Sequence, residues 1–210
     1  MEKVTKKELI NYLLELHSDA KCALNYQNDY ELLVAIMLSA QTTDISVNKV
    51  TPILFNKYKT IEDMSKADLK SVMDIIHSIG LYKNKATNLI LSMKKLVLDG
   101  YKAIPNDYDY LVSLPGVGRK TANVFLSEYY GMNTLGVDTH ILRISKRLGI
   151  IKENEDVNEA EKNLLKLIGD FETKKFHHMM ILFGRNECKA KNPSCTNCKL
   201  KKKCIEGYSK

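Results

Sequence analysis

The sequence lacks the features that mark membrane and secreted proteins. No run of apolar residues approaches the length of about 18–20 residues that a membrane-spanning helix needs. The first residues, Met1–Lys7, lead into an amphipathic segment and not into the apolar core of a secretory signal. We therefore expect an intracellular protein in a reducing compartment, cytoplasmic in location and nucleoid-associated in a bacterium or archaeon.

Strand signals are also scarce. No alternation of apolar and polar residues flanks a tight Asn-Gly or Asp-Gly turn. Apolar residues instead recur at helical spacing, first after Thr5 and Glu8, which form a predicted capping box, and then in the almost wholly apolar Leu32–Ala40. Gly80 is predicted to end a short helix as the residue just past its C-cap. The sequence predicts an all-α fold, with its best internal boundary at Gly131–Asn133.

Cysteine is scarce over most of the chain, where Cys22 stands alone, and abundant near the C-terminus. Four cysteines follow a C-x6-C-x2-C-x5-C pattern: Cys188, Cys195, Cys198 and Cys204. In a reducing compartment such a group binds metal more often than it forms disulfides. The spacing alone leaves zinc and an iron–sulfur cluster as nearly equal alternatives, although zinc modules more often pair two C-x2-C units across a longer loop. Cys22 is predicted to be a buried, inert thiol.

Positive charge is concentrated in the same region. Arg185–Lys210 contains eight basic and two acidic residues, so it carries +6 of the formal net charge of +7. The first 184 residues therefore contribute about +1. A basic block of this kind is often only a solvated surface, and it is also compatible with a phosphate-rich partner.

A glycine-containing hairpin is the most informative local pattern. Leu114 and Pro115 are predicted to close one helix, Gly116–Gly118 to form a tight turn, and a second helix to begin at once. Two glycines let a ligand approach the backbone closely, and the N–H groups of the turn and the first helical turn form an anion site. A lone Gly-x-Gly is usually only a turn, but the full Leu-Pro-Gly-Val-Gly-x-x-x-Ala pattern resembles the helix-hairpin-helix motif, which grips DNA phosphates without reading sequence.

Two polar residues near the hairpin are candidates for chemistry. Lys120 lies in the first turn of the second hairpin helix, where a cation is slightly unfavourable. A lysine nucleophile must be neutral, and the helix start, neighbouring Arg119 and burial would all favour the uncharged amine. Asp138 is a good helix N-cap, and a rigidly held N-cap carboxylate can also stabilise charge or transfer a proton. His140, taken alone, is more often structural than catalytic.

The hairpin with Lys120, the Val137–His140 run about 18 residues later and the cysteine spacing together resemble the endonuclease III family, essentially end to end. The family implies two helical domains that flank a DNA cleft. A six-helix barrel with the helix-hairpin-helix would cover residues 22–132, and an iron–sulfur cluster domain would combine residues 1–21 and 133–210. The implied activity is that of a monomeric base-excision repair enzyme acting on double-stranded DNA that contains damaged bases or abasic sites. It would remove oxidised pyrimidines and cut the strand 3′ to the abasic site by β-elimination.

The resemblance also implies roles residue by residue. Lys120 would be the nucleophile and Asp138 its catalytic partner, and the four clustered cysteines would ligate a [4Fe–4S] cluster. Gln41 and Leu81 match the positions that enter the duplex where a nucleotide has left. The remaining expected DNA contacts are Gly116, Val117, Gly118, Arg119, His140, Lys189 and Lys191, the last two in a phosphate-contacting loop between Cys188 and Cys195.

Two other interpretations stay open. A single-function mismatch glycosylase of the same superfamily would share the hairpin and the cysteines but lack lysine at the position of Lys120. Its adenine-removing type would be expected to carry a further C-terminal domain. A non-catalytic iron–sulfur DNA-binding protein would use the hairpin and the basic region alone, and would need neither Lys120 nor Asp138.

Overall fold

The computed structural model describes residues 3–205, so Glu206 and Lys210 of the basic region lie outside the described residues. Over this range the chain forms eleven α-helices and one short 3-10 helix, and no β-strand. The predicted all-α fold is confirmed. No helix within residues 3–205 is both long and apolar enough to cross a membrane.

The helices follow one another in the order α1 (Lys6–His17), α2 (Asp29–Ser39), α3 (Asp44–Lys57), α4 (Ile61–Ser65), α5 (Leu69–Ile76), α6 (Tyr82–Leu98), α7 (Tyr108–Val112), α8 (Arg119–Tyr130), α9 (Thr139–Arg147), α10 (Val157–Ile168) and α11 (Thr173–Asn186). The chain divides into two compact units. One combines Met1–Lys21 with Gly131–Lys210, and the other is Cys22–Tyr130.

The unit Cys22–Tyr130 is built around α2. Every residue from Leu32 to Leu38 is buried, because α3, α6 and α8 pack against different sides of this helix. Its start is fixed by Asn28, whose side chain accepts the backbone N–H of Glu31. A helix that is apolar all round in this way is a core helix. It ends at Ser39, and the turn that follows carries Gln41.

The predicted helix end at Gly80 is wrong. Helix α5 ends at Ile76 with His77 as its C-cap, and Gly80 does not have the positive φ of a residue just past a helix end. The left-handed residue of this segment is Leu81, with φ of 60°, immediately before α6 begins at Tyr82. The prediction failed because glycine marks a possible chain reversal, whereas this reversal is imposed by the packing of the segment.

The second unit has its own core. Helix α11 packs against α1 and α9 and buries Phe176 and Phe183 completely or almost completely. The predicted capping box is confirmed, since the side chain of Thr5 accepts the N–H of Glu8 while the Glu8 carboxylate accepts the N–H of Thr5. This unit contains the segment with the four clustered cysteines.

Candidate functional site

The hairpin between α7 and α8 is shaped by its own glycine and by α6. Gly116 has φ of +78°, a conformation in which glycine is favoured. A Cβ on this residue would lie 2.8 Å from Nδ2 and 2.9 Å from Cβ of Asn88, so a side chain there would force Asn88 or the turn to shift. Ser92 Oγ donates a hydrogen bond to the carbonyl of Pro115 at 2.6 Å, which holds the first half of the turn on α6.

The second hairpin helix begins directly after the turn. The carbonyl of Gly118 accepts the N–H of Ala122 at 3.0 Å, which is the first bond of α8. A Cβ on Gly118 would meet no atom within 4 Å, so the backbone there is open to an approaching group. The buried side chain of Val117 anchors the turn. The first N–H groups of a helix have no partner within the helix, and this end therefore suits an anion.

Lys120 lies in the first turn of α8 and is exposed. The expectation that burial favours its neutral form is therefore wrong, because the amine is not removed from water in this structure. Exposure leaves the amine accessible to a substrate.

Asp138 is the N-cap of α9, as predicted. Its Oδ1 accepts the backbone N–H of Ile141 at 2.8 Å, and its own backbone is extended. The bond uses one carboxylate oxygen and thereby fixes the orientation of the other. Asp138 belongs to the unit that contains the cysteines, whereas Lys120 belongs to the unit Cys22–Tyr130.

The four clustered cysteines line one cavity. Its other lining residues include Arg147, Phe183, Pro193 and Lys201. The cysteines that face it are Cys188, Cys195, Cys198 and Cys204. Burial raises the pKa of Cys188, while Arg147, whose Nη1 lies 3.4 Å from the Cys188 sulfur, opposes that shift.

The arrangement of the four sulfurs bears on the two metal alternatives. A single zinc ion with Zn–S bonds of about 2.3 Å holds its thiolates roughly 3.8 Å apart. The structure describes all four cysteines, and no three of their sulfurs lie within 4.8 Å of one another. In a [4Fe–4S] cluster each thiolate binds a different iron, so the sulfurs stand farther apart. Four thiols that line one cavity are a donor set that a [4Fe–4S] cluster takes, and their sulfurs are not gathered as closely as one bound zinc ion would hold them.

Sequence reasoning missed two arginines that hold the backbone beside this cavity. Arg143 and Arg147 stand one helical turn apart on α9. Arg143 Nη2 donates to the carbonyls of Gly184 and Cys188, both at 2.9 Å, and Arg147 Nη1 donates to the carbonyl of Lys189 at 2.7 Å. Their i, i+4 spacing was the available signal, but the same spacing is common on exposed helix faces.

The other predicted DNA contacts are distributed over both units. Lys189 and Lys191 are exposed, in the segment between the first two cysteines. His140 lies in the first turn of α9, where its Nδ1 accepts a hydrogen bond from Arg143 Nη2 at 3.1 Å. The Cβ of His140 packs against the backbone of Gly184, so closely that a Cβ added to Gly184 would lie 2.7 Å from it. His140 is therefore packed into its own unit, whereas the two lysines are exposed.

Gln41 and Leu81 share one unit and one conformation. Both are exposed, with Leu81 at 57%, and both have positive φ, 54° for Gln41 and 60° for Leu81. A large apolar side chain that is exposed on a left-handed backbone is unusual on both counts. The segments that carry Gln41 and Leu81 lie side by side. A Cβ added to Gly80 would be 3.7 Å from the carbonyl oxygen of Gln41.

Known proteins resemble this chain along nearly its whole length. The profile of the HhH-GPD superfamily of base excision DNA repair proteins matches residues 34–170. Endonuclease III of Bacillus subtilis (strain 168) is 45% identical over 197 residues, which cover 93% of this chain and 90% of the relative. A structure of a trapped covalent intermediate between endonuclease III and DNA has a TM-score of 0.90 and 44% identity, and the match covers 98% of each chain.

A thermostable thymine-DNA glycosylase has nearly the same fold, with a TM-score of 0.88 at 22% identity, over 98% of this chain and 97% of the other. At that identity the likeness concerns the fold alone, so the architecture does not separate the two enzyme types. The sequence identity to endonuclease III over nearly the full length does separate them. The chain belongs to the HhH-GPD superfamily of base excision DNA repair proteins and, within it, to the endonuclease III family.

Proposed function

We propose that this protein is a DNA glycosylase and abasic-site lyase that removes oxidised pyrimidines from double-stranded DNA. One observation carries the proposal: an exposed lysine, Lys120, stands at the start of the hairpin helix in a chain that shares nearly half its residues with an endonuclease III captured in a covalent bond to DNA. A covalent intermediate requires a nucleophile, and an accessible amine at the anion-binding end of a helix is suited to attack a sugar held by its phosphates.

The proposed reaction begins with the damaged nucleotide rotated out of the duplex, because its sugar cannot be reached inside the stack. The Lys120 amine attacks C1′ as the N-glycosidic bond breaks, and the base leaves with the bonding electron pair and takes up a proton. The Asp138 carboxylate stabilises the positive charge that develops on the sugar. Its capping bond to Ile141 holds it in one orientation, so little reorganisation is needed when that charge forms.

Strand cleavage follows from the same covalent bond. Opening of the sugar ring converts the amine adduct into an imine between Lys120 and C1′. The imine makes the C2′ protons acidic, and loss of one of them expels the 3′ phosphate as the C3′–O bond breaks. Hydrolysis of the imine then returns the free lysine.

The remaining contacts are proposed to hold the DNA. Gln41 and Leu81 would fill the space that the flipped nucleotide leaves, and the backbone at Gly116–Arg119 would bind phosphates. Lys189 and Lys191 would bind phosphates from the cysteine segment, and His140 would lie at the DNA surface. The unit Cys22–Tyr130 would correspond to the predicted barrel domain of residues 22–132. The protein would act as a monomer on chromosomal DNA, which in a bacterium or archaeon lies in the cytoplasm.

We further propose that the cysteine cavity holds a [4Fe–4S] cluster. The ligands would be Cys188, Cys195, Cys198 and Cys204, which line one cavity and form the four-cysteine donor set of such a cluster. When bound, the cluster would cross-link the C-terminal segment through four thiolates. The arginines of α9 would hold the backbone carbonyls around the first ligand whether or not the sulfurs are bound. The purified protein should contain about four iron and four labile sulfide per chain. Stoichiometric zinc from cells grown with ample iron would contradict the assignment.

A panel of duplexes tests the enzymatic proposal. Each duplex contains one oxidised pyrimidine, one abasic site or one mismatch, and base release and strand cleavage are measured separately. We expect both activities on oxidised pyrimidines and cleavage of the abasic duplex without any base release. Base release from mismatches without cleavage would identify a single-function glycosylase. Tight binding without either activity would identify a binding protein.

A further inference from the structure

Gln41 adopts its left-handed conformation in a turn that does not favour glutamine. Ala40 has φ of −56° and ψ of 116°, and the N–H of Thr42 donates to the carbonyl of Ser39 at 3.0 Å. The turn Ser39–Thr42 therefore has type II geometry, in which the third residue needs positive φ and is usually glycine or asparagine. A left-handed residue without these advantages persists only where its surroundings impose the conformation.

Lys85, in the first turn of α6, supplies the constraint. The residue is only 8% exposed, and its Nζ donates to Leu38 O at 2.9 Å, Ala40 O at 2.7 Å and Thr42 Oγ1 at 2.8 Å. An ammonium group has three N–H donors, so all three are used. Two of the three acceptors flank Gln41 on either side. The charge also faces the C-terminal end of α2, where backbone carbonyls favour a cation.

The backbone of Lys85 is bonded to Leu81, a second left-handed residue, in a way that does not depend on the lysine side chain. The N–H of Lys85 donates to the carbonyl of Leu81 at 3.0 Å, and this bond closes the first turn of α6. Burial lowers the pKa of Lys85, because the ammonium has exchanged water for neutral oxygens. A buried charge of this kind is costly, and three hydrogen bonds that meet at one turn are the compensation.

We propose that Lys85 is a positioning residue that holds Gln41 in the backbone conformation from which its side chain enters the duplex. It acts through Gln41, since its own amine is buried and fully hydrogen-bonded. The inference rests on the proposed function, which assigns Gln41 and Leu81 to the duplex. It predicts that loss of the ammonium impairs the recognition of a lesion more than the binding of DNA as such.

The test compares the affinity of the cluster-containing protein for two duplexes at one salt concentration. One carries a single tetrahydrofuran residue, a stable abasic analogue, and the other is undamaged. Lys85→Met keeps the length of the side chain and removes its donors. We expect its preference for the tetrahydrofuran duplex to fall about tenfold, which is the scale of releasing one strained residue. Binding to the undamaged duplex should not change. Lys94→Met, an exposed lysine on the same helix, controls for the lost charge and should keep the wild-type preference.

A double variant distinguishes positioning from a general loss of stability. Gln41→Ala should reduce the preference by itself. The double variant, Gln41→Ala with Lys85→Met, should reduce it no further than the larger single effect, because both changes remove the contribution of the Gln41 side chain to the duplex. Effects that multiply in the double variant would overturn the proposal. So would a wild-type preference in folded Lys85→Met. If Lys85→Met fails to fold, Thr42→Val decides the matter, since it removes one acceptor from the turn and should lower the preference in the same direction.

The role of Gln41 in the duplex and the positioning role of Lys85 can be refuted separately. If Gln41→Ala keeps the full preference for the tetrahydrofuran duplex, the assignment of Gln41 to the duplex is wrong, and the role of Lys85 falls with it. If Gln41→Ala loses the preference and Lys85→Met keeps it, the proposed function stands and only the positioning role is refuted.

Discussion

At the scale of single residues, Asp138 combines a structural and a chemical role that one substitution separates. Asparagine caps a helix about as well as aspartate, so Asp138→Asn should retain the bond to Ile141 and unfold within about 0.5 kcal/mol of the wild type. It removes the charge that stabilises the sugar, and base release should therefore slow by roughly a hundredfold or more. Thermal unfolding and single-turnover base release measure the two effects.

The matched control for that variant is Asp156→Asn. Asp156 caps α10 in the same unit, through bonds from the N–H groups of Asn158 and Glu159. It should leave both stability and base release close to those of the wild type. If Asp138→Asn releases bases at the wild-type rate, Asp138 is a helix cap and nothing more.

Cys22 gives a second prediction at this scale. Burial raises the pKa of its thiol to about 12, so at pH 8 it carries roughly a thousandfold less thiolate than an ordinary cysteine. Iodoacetamide should modify Cys22 very slowly in the native protein and readily in guanidinium, as measured by mass spectrometry of the Cys22 peptide. The half-buried thiol is thus protected by its environment. Equal rates in the native and unfolded protein would contradict this account.

Single residues also mark the limit of prediction from the sequence. Asp138 could be identified as a cap because the signal is local: a polar residue directly before a helical pattern. Lys85 and Arg147 could not be identified, because nothing in the sequence separates them from solvated lysines and arginines. Their roles depend on carbonyls 45 and 42 residues away in the chain, at Ala40 and Lys189. The opposite error occurred at Lys120, for which burial was expected and exposure is observed.

At the scale of elements, the hairpin depends on Gly116 for two reasons, its left-handed backbone and the proximity of Asn88. Gly116→Ala should lower the free energy of unfolding by roughly 2–4 kcal/mol, from the backbone strain and the overpacking together. Because the turn must shift, binding to damaged and undamaged duplex should weaken alike. Urea unfolding and binding titrations measure these effects.

Gly100→Ala is the control that separates the effect of backbone strain from the effect of shifting the hairpin turn. Gly100 has φ of +83° at the end of α6, but a Cβ there meets no atom within 4 Å. Its substitution should lower stability by about 1–2 kcal/mol through backbone strain alone and leave DNA binding intact. Equal losses of DNA binding in Gly100→Ala and Gly116→Ala would mean that the shape of the hairpin is not what binds phosphate.

Element boundaries were predictable where caps and periodicity agree. The capping box at Thr5 and Glu8, and the apolar α2, are both observed where the sequence indicated them. The prediction for the segment around Gly80 and Leu81 was wrong, because its left-handed residue is an exposed leucine and not the glycine. Local propensity favours glycine for that conformation and therefore pointed to a neighbouring residue. The misplaced element is part of the surface that we assign to the duplex, which fits the expectation that functional segments depart from local rules.

At the scale of the whole molecule, the family resemblance and the all-α fold were predictable, because the hairpin, the Val137–His140 run and the cysteine pattern occur in a specific order. The metal was not predictable from the cysteine spacing alone. The structure adds that all four cysteines line one cavity, which the sequence could not show. The chemistry of the whole molecule still depends on one proposed bond, between Lys120 and C1′.

That bond can be captured directly. The protein is incubated with a duplex that contains thymine glycol or an abasic site, in the presence of borohydride, which reduces an imine to a stable amine. We expect one covalent protein–DNA adduct, with the link mapped to Lys120 by mass spectrometry. Lys120→Gln, which has a side chain of similar length on an exposed position, should fold, bind the lesion duplex and lose both trapping and strand cleavage. Undiminished trapping in Lys120→Gln would contradict the account and assign the nucleophile to another amine.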